Sequence, residues 1–358
     1  MSKGLALTTT VERMPELERL FREGTNGWLG GDCAFSTPLN DGRILWLFGD
    51  SFVSSDPEAR SRAGSHIVAN TIAIQRGHEV RFWWKEGGGR GPTAFFSSPE
   101  LPGRSWPLSA VRIGEALAVL AVRVVTVDPN QVTGFRLVGH EVYWVPNPDE
   151  EPHRWEITLR QLPWSEKTGT FGSWLLADQG YLYIYGFRRH FRSWFKEVWT
   201  LVARAPLEDA HRLVEPERWE YLDGEHGRWY KNPAAARPVL HKGATEFSVS
   251  YLPELGKFVL LAASWRRGNP IQVRVAETPY GPFSEACTVY VCPEALANRR
   301  YFCYAAKAHP ELASSPAELV VSYAVNSRKL EDCYHDEGIY YPRFLRVSVL
   351  PQRREGNG

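Results

Sequence analysis

One pattern constrains this chain more than any other. A short apolar run, a glycine turn and a second apolar run recur along its length. "FSTPLNDGRILWLFGD" turns at Asp41-Gly42, "IGEALAVLAVRV" at Gly114, "GSWLLADQGYLYIYGFR" at Gln179-Gly180 and "FSVSYLPELGKFVLLAASW" at Leu255-Gly256. "AHPELASSPAELVVSYAVN" carries a fifth turn near Pro316. The turns stand 72, 66 and 76 residues apart from Gly42 through Gly114 and Gly180 to Gly256, and the last interval is about 60. The second half of a unit recurs as well: "LVARAPLEDAHRLVEPERWEYL" resembles "VRVAETPYGPFSEACTVYV", a strand, a Pro-containing turn and a strand. One such unit cannot cover its own apolar faces, so similar units must stack side by side. The expectation is all-β: a five-bladed β-propeller of four-stranded blades. One domain would span residues 1–358, with blades near 27–80, 81–140, 141–230, 231–300 and 301–350. A pair of β-sandwiches does not call for five similar units. Runs such as "ILWLF" and "YLYIY" suit strands covered on both faces by neighbouring blades.

Composition agrees. Aromatic residues make up 13% of the chain beside 30 Gly and 25 Pro, a mixture suited to short strands and tight turns. Helical spacing occurs only over Val11 to Phe21, where Pro15 interrupts it. "KEGGGRGP", Lys85 to Pro92, reads as a turn inside a blade.

Charge and motifs exclude several functions. Lys and Arg number 42 against 41 Asp and Glu, a net charge of +1. Nucleic acid and anionic membranes need a basic field, so neither is the expected partner. Five cysteines with no CxxC pair point to reduced thiols rather than a disulfide frame or a zinc site. "DCYHDEG", Asp332 to Gly338, reads as a solvated loop, and no metal or cofactor is expected. The first residues carry no secretory h-region, so a cytoplasmic location is expected. No nucleophile elbow, P-loop, HExxH or dinucleotide fingerprint occurs.

The turn glycines align the units and so place the acids. Asp32 lies ten residues before Gly42, and Glu246 ten before Gly256. Both therefore precede an inner strand, on different blades. Asp50 lies eight residues after Gly42, at the end of the next strand, and an antiparallel hairpin returns it to Asp32. Arg188 and Ser264 hold Asp50's place on other blades. Three carboxyls at one mouth suit glycoside hydrolysis, in which one carboxyl donates a proton and its partner activates water or attacks the sugar. Neighbouring carboxylates drive their pKa values apart and so create the two roles. Trp28, Asn70, Trp174, Arg188, Lys307 and His309 are candidates to hold the carbohydrate. Several of these residues have a structural alternative. Asp32 can accept backbone N–H groups at its turn, and Glu246 can pair with Lys242 or Arg237. Trp28, Trp174 and His309 can be core.

At these residues a resemblance enters. "GGDCAFSTPLNDGRILWLFGDSF" resembles the "GGDGAYSVPLPDGRTLWLFGDTF" type of segment. That segment marks a bacterial five-bladed-propeller family that includes endo-D-arabinanases and was long catalogued as a domain of unknown function. "TEFSVSYLPELGKFVLL", "AKAHPEL" and "YYPRFLRV" resemble its later blades, so the similarity runs from about Gly27 to Val349. Cys33 stands where that segment has glycine. The resemblance implies hydrolysis of furanosidic linkages, D-arabinan first among them, with Asp32 and Asp50 as the catalytic acids.

Overall fold

In a computed structural model, residues 7–23, 26–87, 89, 91–98, 100–128, 134–192, 195–208 and 215–352 are described. The chain is all-β, and its α-helices among these residues are short: Pro15–Glu23, Pro293–Ala297 and Leu330–His335. Five antiparallel sheets follow one another along the sequence, each a meander of neighbouring strands. Sheet 1 holds Phe35–Pro38, Ile44–Phe48, Thr71–Arg76 and Glu79–Trp83. Sheet 2 holds Arg104–Ile113, Ala116–Thr126, Phe135–Val145 and Thr158–Leu162. Sheet 3 begins with Thr170–Asp178, Tyr181–Arg192 and Phe195–Pro206, and adds two short strands ending at Tyr230. Sheet 4 holds Phe247–Leu252, Lys257–Ala263, Ile271–Ala276 and Cys287–Tyr290. Sheet 5 holds Tyr301–Ala308, Glu318–Ser327 and Arg343–Pro351.

The four turn glycines mark hairpins because each needs a left-handed backbone, with φ of +81° at Gly42, +58° at Gly114, +80° at Gly180 and +61° at Gly256. Three local expectations change. Val11 to Phe21 is split: Leu7–Arg13 is a strand paired along Arg343–Pro351, so the chain's first strand completes its last sheet. Pro15 then opens the helix instead of breaking it, because the first helical residue needs no N–H partner. Lys85–Glu86 pairs with Pro92–Thr93 as a small ribbon between sheets 1 and 2, outside the main sheets. The unit boundary expected at residue 140 falls inside the strand Phe135–Val145.

Hydroxyl groups on the inner strands, and in sheet 5 on the strand beside the inner one, link each sheet to the next. Thr37 Oγ1 donates to Ala110 O at 3.0 Å, Ser109 Oγ to Gly172 O at 2.5 Å and Ser173 Oγ to Thr245 O at 2.9 Å. Ser248 Oγ accepts from Ala308 N at 2.8 Å, and Ser322 Oγ donates to Ala34 O at 3.2 Å. These bonds lead from sheet 1 through sheets 2 to 5 and back to sheet 1. Between sheets lie aliphatic and aromatic clusters, and the wholly buried Phe21 of the first helix meets Trp46, Phe48, Phe82 and Phe344. Each such side chain contributes roughly 1.5–3 kcal/mol on burial.

Candidate active site

Asp32 and Asp50 sit where one long hairpin breaks into two. Trp28–Gly31 pairs with Ser51–Val53 in a small separate sheet, whereas Phe35–Pro38 pairs with Ile44–Phe48 in sheet 1. At the break the Asp32 N–H donates to Asp50 O at 3.3 Å, and the Asp32 carbonyl accepts from Gly49 N at 3.0 Å and Ala34 N at 3.1 Å. Cys33 and Ala34 take left-handed φ of +78° and +47°. Tyr340 (+64°) and Ala305 (+55°) are also left-handed; Tyr340 is one of the groups facing Asp32, and Ala305 adjoins Tyr304, which bonds it. Non-glycine residues held this way cost about 1–3 kcal/mol each and cluster at functional sites.

The carboxyls have distinct surroundings. Asp32 Oδ2 accepts from the Tyr304 hydroxyl at 2.5 Å, while Oδ1 is buried without a hydrogen bond. Gly49 packs so tightly that a Cβ there would collide with Asp32 Oδ1. Burial, then the charge of Asp50, and in smaller part that of Glu246, push the Asp32 carboxyl up to about 7 against the opposing Tyr304 hydrogen bond. Asp50 Oδ1 accepts from the Trp106 indole N–H at 2.8 Å and lies 3.8 Å from Arg104 Nε. Burial raises it too, and Arg104 and Trp106 oppose the rise. Glu246 accepts from Thr245 Oγ1 at 2.7 Å; burial raises it, while Lys307 and Arg189 favour its charged form. Asp32 thus feels both other acids, one from its own hairpin and one from sheet 4.

The other expected residues divide. Lys307 stands beside this group, wholly buried, on the strand bulge between Tyr304 and Lys307. Its ammonium is spent internally, donating to Leu108 O at 2.5 Å and Ser173 O at 2.7 Å over the Phe35 ring at 3.4 Å. Burial lowers it to about 7. Trp174 lies 5.7 Å from that ammonium, and its indole N–H is committed to Val249 O at 2.6 Å. Trp28 is core, not a sugar platform: it is unexposed, stacked on Phe82 at 4.1 Å and bonded to Thr71 Oγ1 at 3.0 Å. Asn70 is equally enclosed, its amide holding Phe96 N, Phe96 O and Ser105 O at 2.8 Å each. His309 is buried against Trp46 and Phe344, bonded to Ser36 Oγ at 2.5 Å and lowered to about 3 by burial. Arg188 donates to the carbonyls of Lys167 and Ala236, and it is the next residue, Arg189, whose charge reaches Glu246.

Tyr304, Trp106, Arg104 and Gly49 complete the surroundings of the acids. One was open to discovery: the ten-residue offset that selects Asp32 and Glu246, applied to Gly114, lands on Arg104.

The family described as a domain of unknown function, DUF5005, matches residues 16–350. The chain belongs to the DUF5005 family. No curated protein sequence matches it. Among solved structures, this DUF5005 chain is similar to a Bacteroides ovatus protein provisionally described as a hydrolase, with a TM-score of 0.75 and 21% identity over 95% of this chain and 90% of that one. It is also similar to a GH43_1 enzyme from Xanthomonas citri complexed with xylotriose, with a TM-score of 0.50 and 15% identity over 96% of each chain. At these identities the likeness is one of fold.

Proposed function

We propose that this DUF5005 chain is a single-domain five-bladed β-propeller and a glycoside hydrolase acting on furanosidic, D-arabinan-like linkages, with Asp32 and Asp50 as its acid/base pair. The observation that carries the reading is that Asp32 and Asp50 stand together at the hairpin break, where the charge of Glu246 also reaches Asp32 and the Asp32 carboxyl is pushed up to about 7. The cyclic run of hydroxyl bonds supports the propeller. The glycan-bound Xanthomonas citri relative supports a carbohydrate substrate, and the segment around Asp32 and Asp50 supports the furanosidic preference.

The division of labour follows from the surroundings. Burial and the Asp50 charge disfavour the Asp32 anion and push its carboxyl up to about 7, so a large share of it carries the proton near neutral pH and it is the donor to the leaving oxygen. Asp50 has an indole N–H on one oxygen and a guanidinium close by, which sustain the carboxylate that activates water or attacks the anomeric carbon. Glu246 adds negative charge that favours the proton on Asp32, and its role is to tune that acid or to bind a sugar hydroxyl.

The test is a screen against furanose polysaccharides and aryl furanosides with product analysis. Asp32→Asn and Asp50→Asn are expected to cut turnover by orders of magnitude while circular dichroism stays that of the wild type. Near-wild-type turnover in both variants overturns the assignment. Saturable glycan binding without product, unaltered by Asp50→Asn, makes the chain a binding module instead.

A further inference from the structure

A cavity of about 300 Å³ opens beside Asp50, at the lower end of the size of small-molecule pockets. Its wall reaches Asp50 through two residues. Arg104 lines it and places Nε 3.8 Å from Asp50 Oδ1, and Val68, also in its wall, pairs with Ser51, the residue after Asp50. That gap is too long for a hydrogen bond, and Nε is left buried without a partner between acid and cavity.

The walls are fixed before any ligand arrives. Wholly buried Asn70 fastens the Phe96 backbone to Ser105 of the neighbouring sheet. Arg123, a lining residue with its side chain 4% exposed, is fixed by its ion pair with Glu141 and by its bond to Leu101 O at 3.2 Å. Two buried polar side chains, neither used by the proposed chemistry, thus serve one purpose. Such preorganisation lowers the ordering cost of binding.

The lining has the character of a carbohydrate's complement. Val68, Phe96 and the 40% exposed Ile67 offer apolar faces to ring C–H groups. The hydroxyls of Ser97 and Ser98 make no hydrogen bond among the described residues, and neither is committed to the fold. No carboxylate lines the cavity, which removes the usual means of holding an amine or a divalent cation.

We propose that this cavity is the subsite for the sugar ring adjoining the one at Asp32 and Asp50, that it takes an uncharged glycosyl unit, and that Arg104 joins its occupant to Asp50. The assignment rests on the glycosidase reading above. Its consequence is a preference for oligosaccharides over substrates with a single sugar.

The test compares kcat/KM for arabino-oligosaccharides with kcat/KM for an aryl arabinofuranoside carrying one sugar, in wild type, Ser98→Trp and Ser98→Ala. The cavity-filling Ser98→Trp is expected to lower the oligosaccharide-to-aryl ratio at least tenfold. Ser98→Ala, which fills nothing and threatens the fold least, is expected to lower it two- to fivefold. Ratios unchanged in both variants overturn the subsite while measurable hydrolysis leaves the glycosidase reading standing. If the wild type cleaves neither substrate, that reading fails, and calorimetric titration with the same oligosaccharides decides the cavity. Binding weakened by Ser98→Ala supports the subsite, whereas no binding, or equal binding in wild type and both variants, overturns it.

Discussion

The backbone N–H of Asp32 donates to the carbonyl oxygen of Asp50, and the next bond of the same hairpin runs from Gly49 N to the Asp32 carbonyl. The two residues are thus tied by main chain at the point where the hairpin changes sheets, and Tyr304 on one carboxyl and Trp106 on the other hold the side chains. Burial first, and then the neighbouring charge of Asp50, raise the proton affinity of Asp32.

Gly49 is the residue that permits it. A Cβ at this position would collide with Asp32 Oδ1, and the Cys33 sulfur lies close behind. Gly49→Ala is therefore expected to displace the Asp32 carboxyl and lower kcat at least tenfold. The stability cost is expected to be about 1–3 kcal/mol, the usual penalty of overpacking. Steady-state kinetics and urea unfolding check it, and unchanged kcat refutes the close packing.

Tyr304 is expected to tune the pair. Its hydroxyl donates to Asp32 Oδ2 at 2.5 Å and so favours the anion, opposing burial. Tyr304→Phe removes that support, and the Asp32 carboxyl rises further above its ordinary value. If Asp32 is the proton donor, the alkaline limb of the kcat/KM profile moves to higher pH in the variant. A limb moving to lower pH, or staying fixed, assigns the donor elsewhere.

Asp32 also leaves a signature in stability. In the folded chain it holds its proton to about pH 7, whereas an unfolded Asp titrates near 3.9. Between those values the folded state binds the extra proton, so its contribution is complete below the unfolded value and is lost as pH rises toward 7. Asp32→Asn escapes this loss. The Tm advantage of the variant over wild type is expected to grow from pH 4 to about pH 7 and then level off. A difference that stays constant from pH 4 to pH 9, read by calorimetry, contradicts the raised proton affinity.

Much of this geometry was legible in the repeat. Glycine is the residue most at ease where φ is positive, so the spacing of the turn glycines reports the hairpins, and counting back from them reaches the approach to the inner strands at Asp32, Glu246 and Arg104. What the repeat cannot report is which way a side chain points after the ladder slips. The bulge between Tyr304 and Lys307 sends one side chain to Asp32 and the other to the carbonyls of two other sheets, and no period of two anticipates that. Arg188 and Arg189 show the same limit, since one residue of register decides which charge Glu246 feels. Trp28, Asn70 and His309 are polar-tipped residues whose partners come from distant segments, so burial rather than residue type settled their roles.

Lys307 provides the sharpest test of how the sheets are joined. Its ammonium reaches Leu108 O on sheet 2 and Ser173 O on sheet 3 from a strand of sheet 5, all within the interior. Lys307→Met keeps most of the apolar stem over the Phe35 ring but supplies no donor, leaving two buried carbonyls with one bond fewer. Each such loss costs about 1–3 kcal/mol, so the variant is expected to unfold at lower urea concentration with an unchanged m-value. Glu246 simultaneously loses a nearby positive charge that favours its anion, so its carboxyl rises further. The substitution therefore is expected to move the pH–rate profile as well as the unfolding midpoint. A variant as stable as wild type shows that the inner strands of sheets 2, 3 and 5 hold together without the lysine, and that the bridge is incidental to closure.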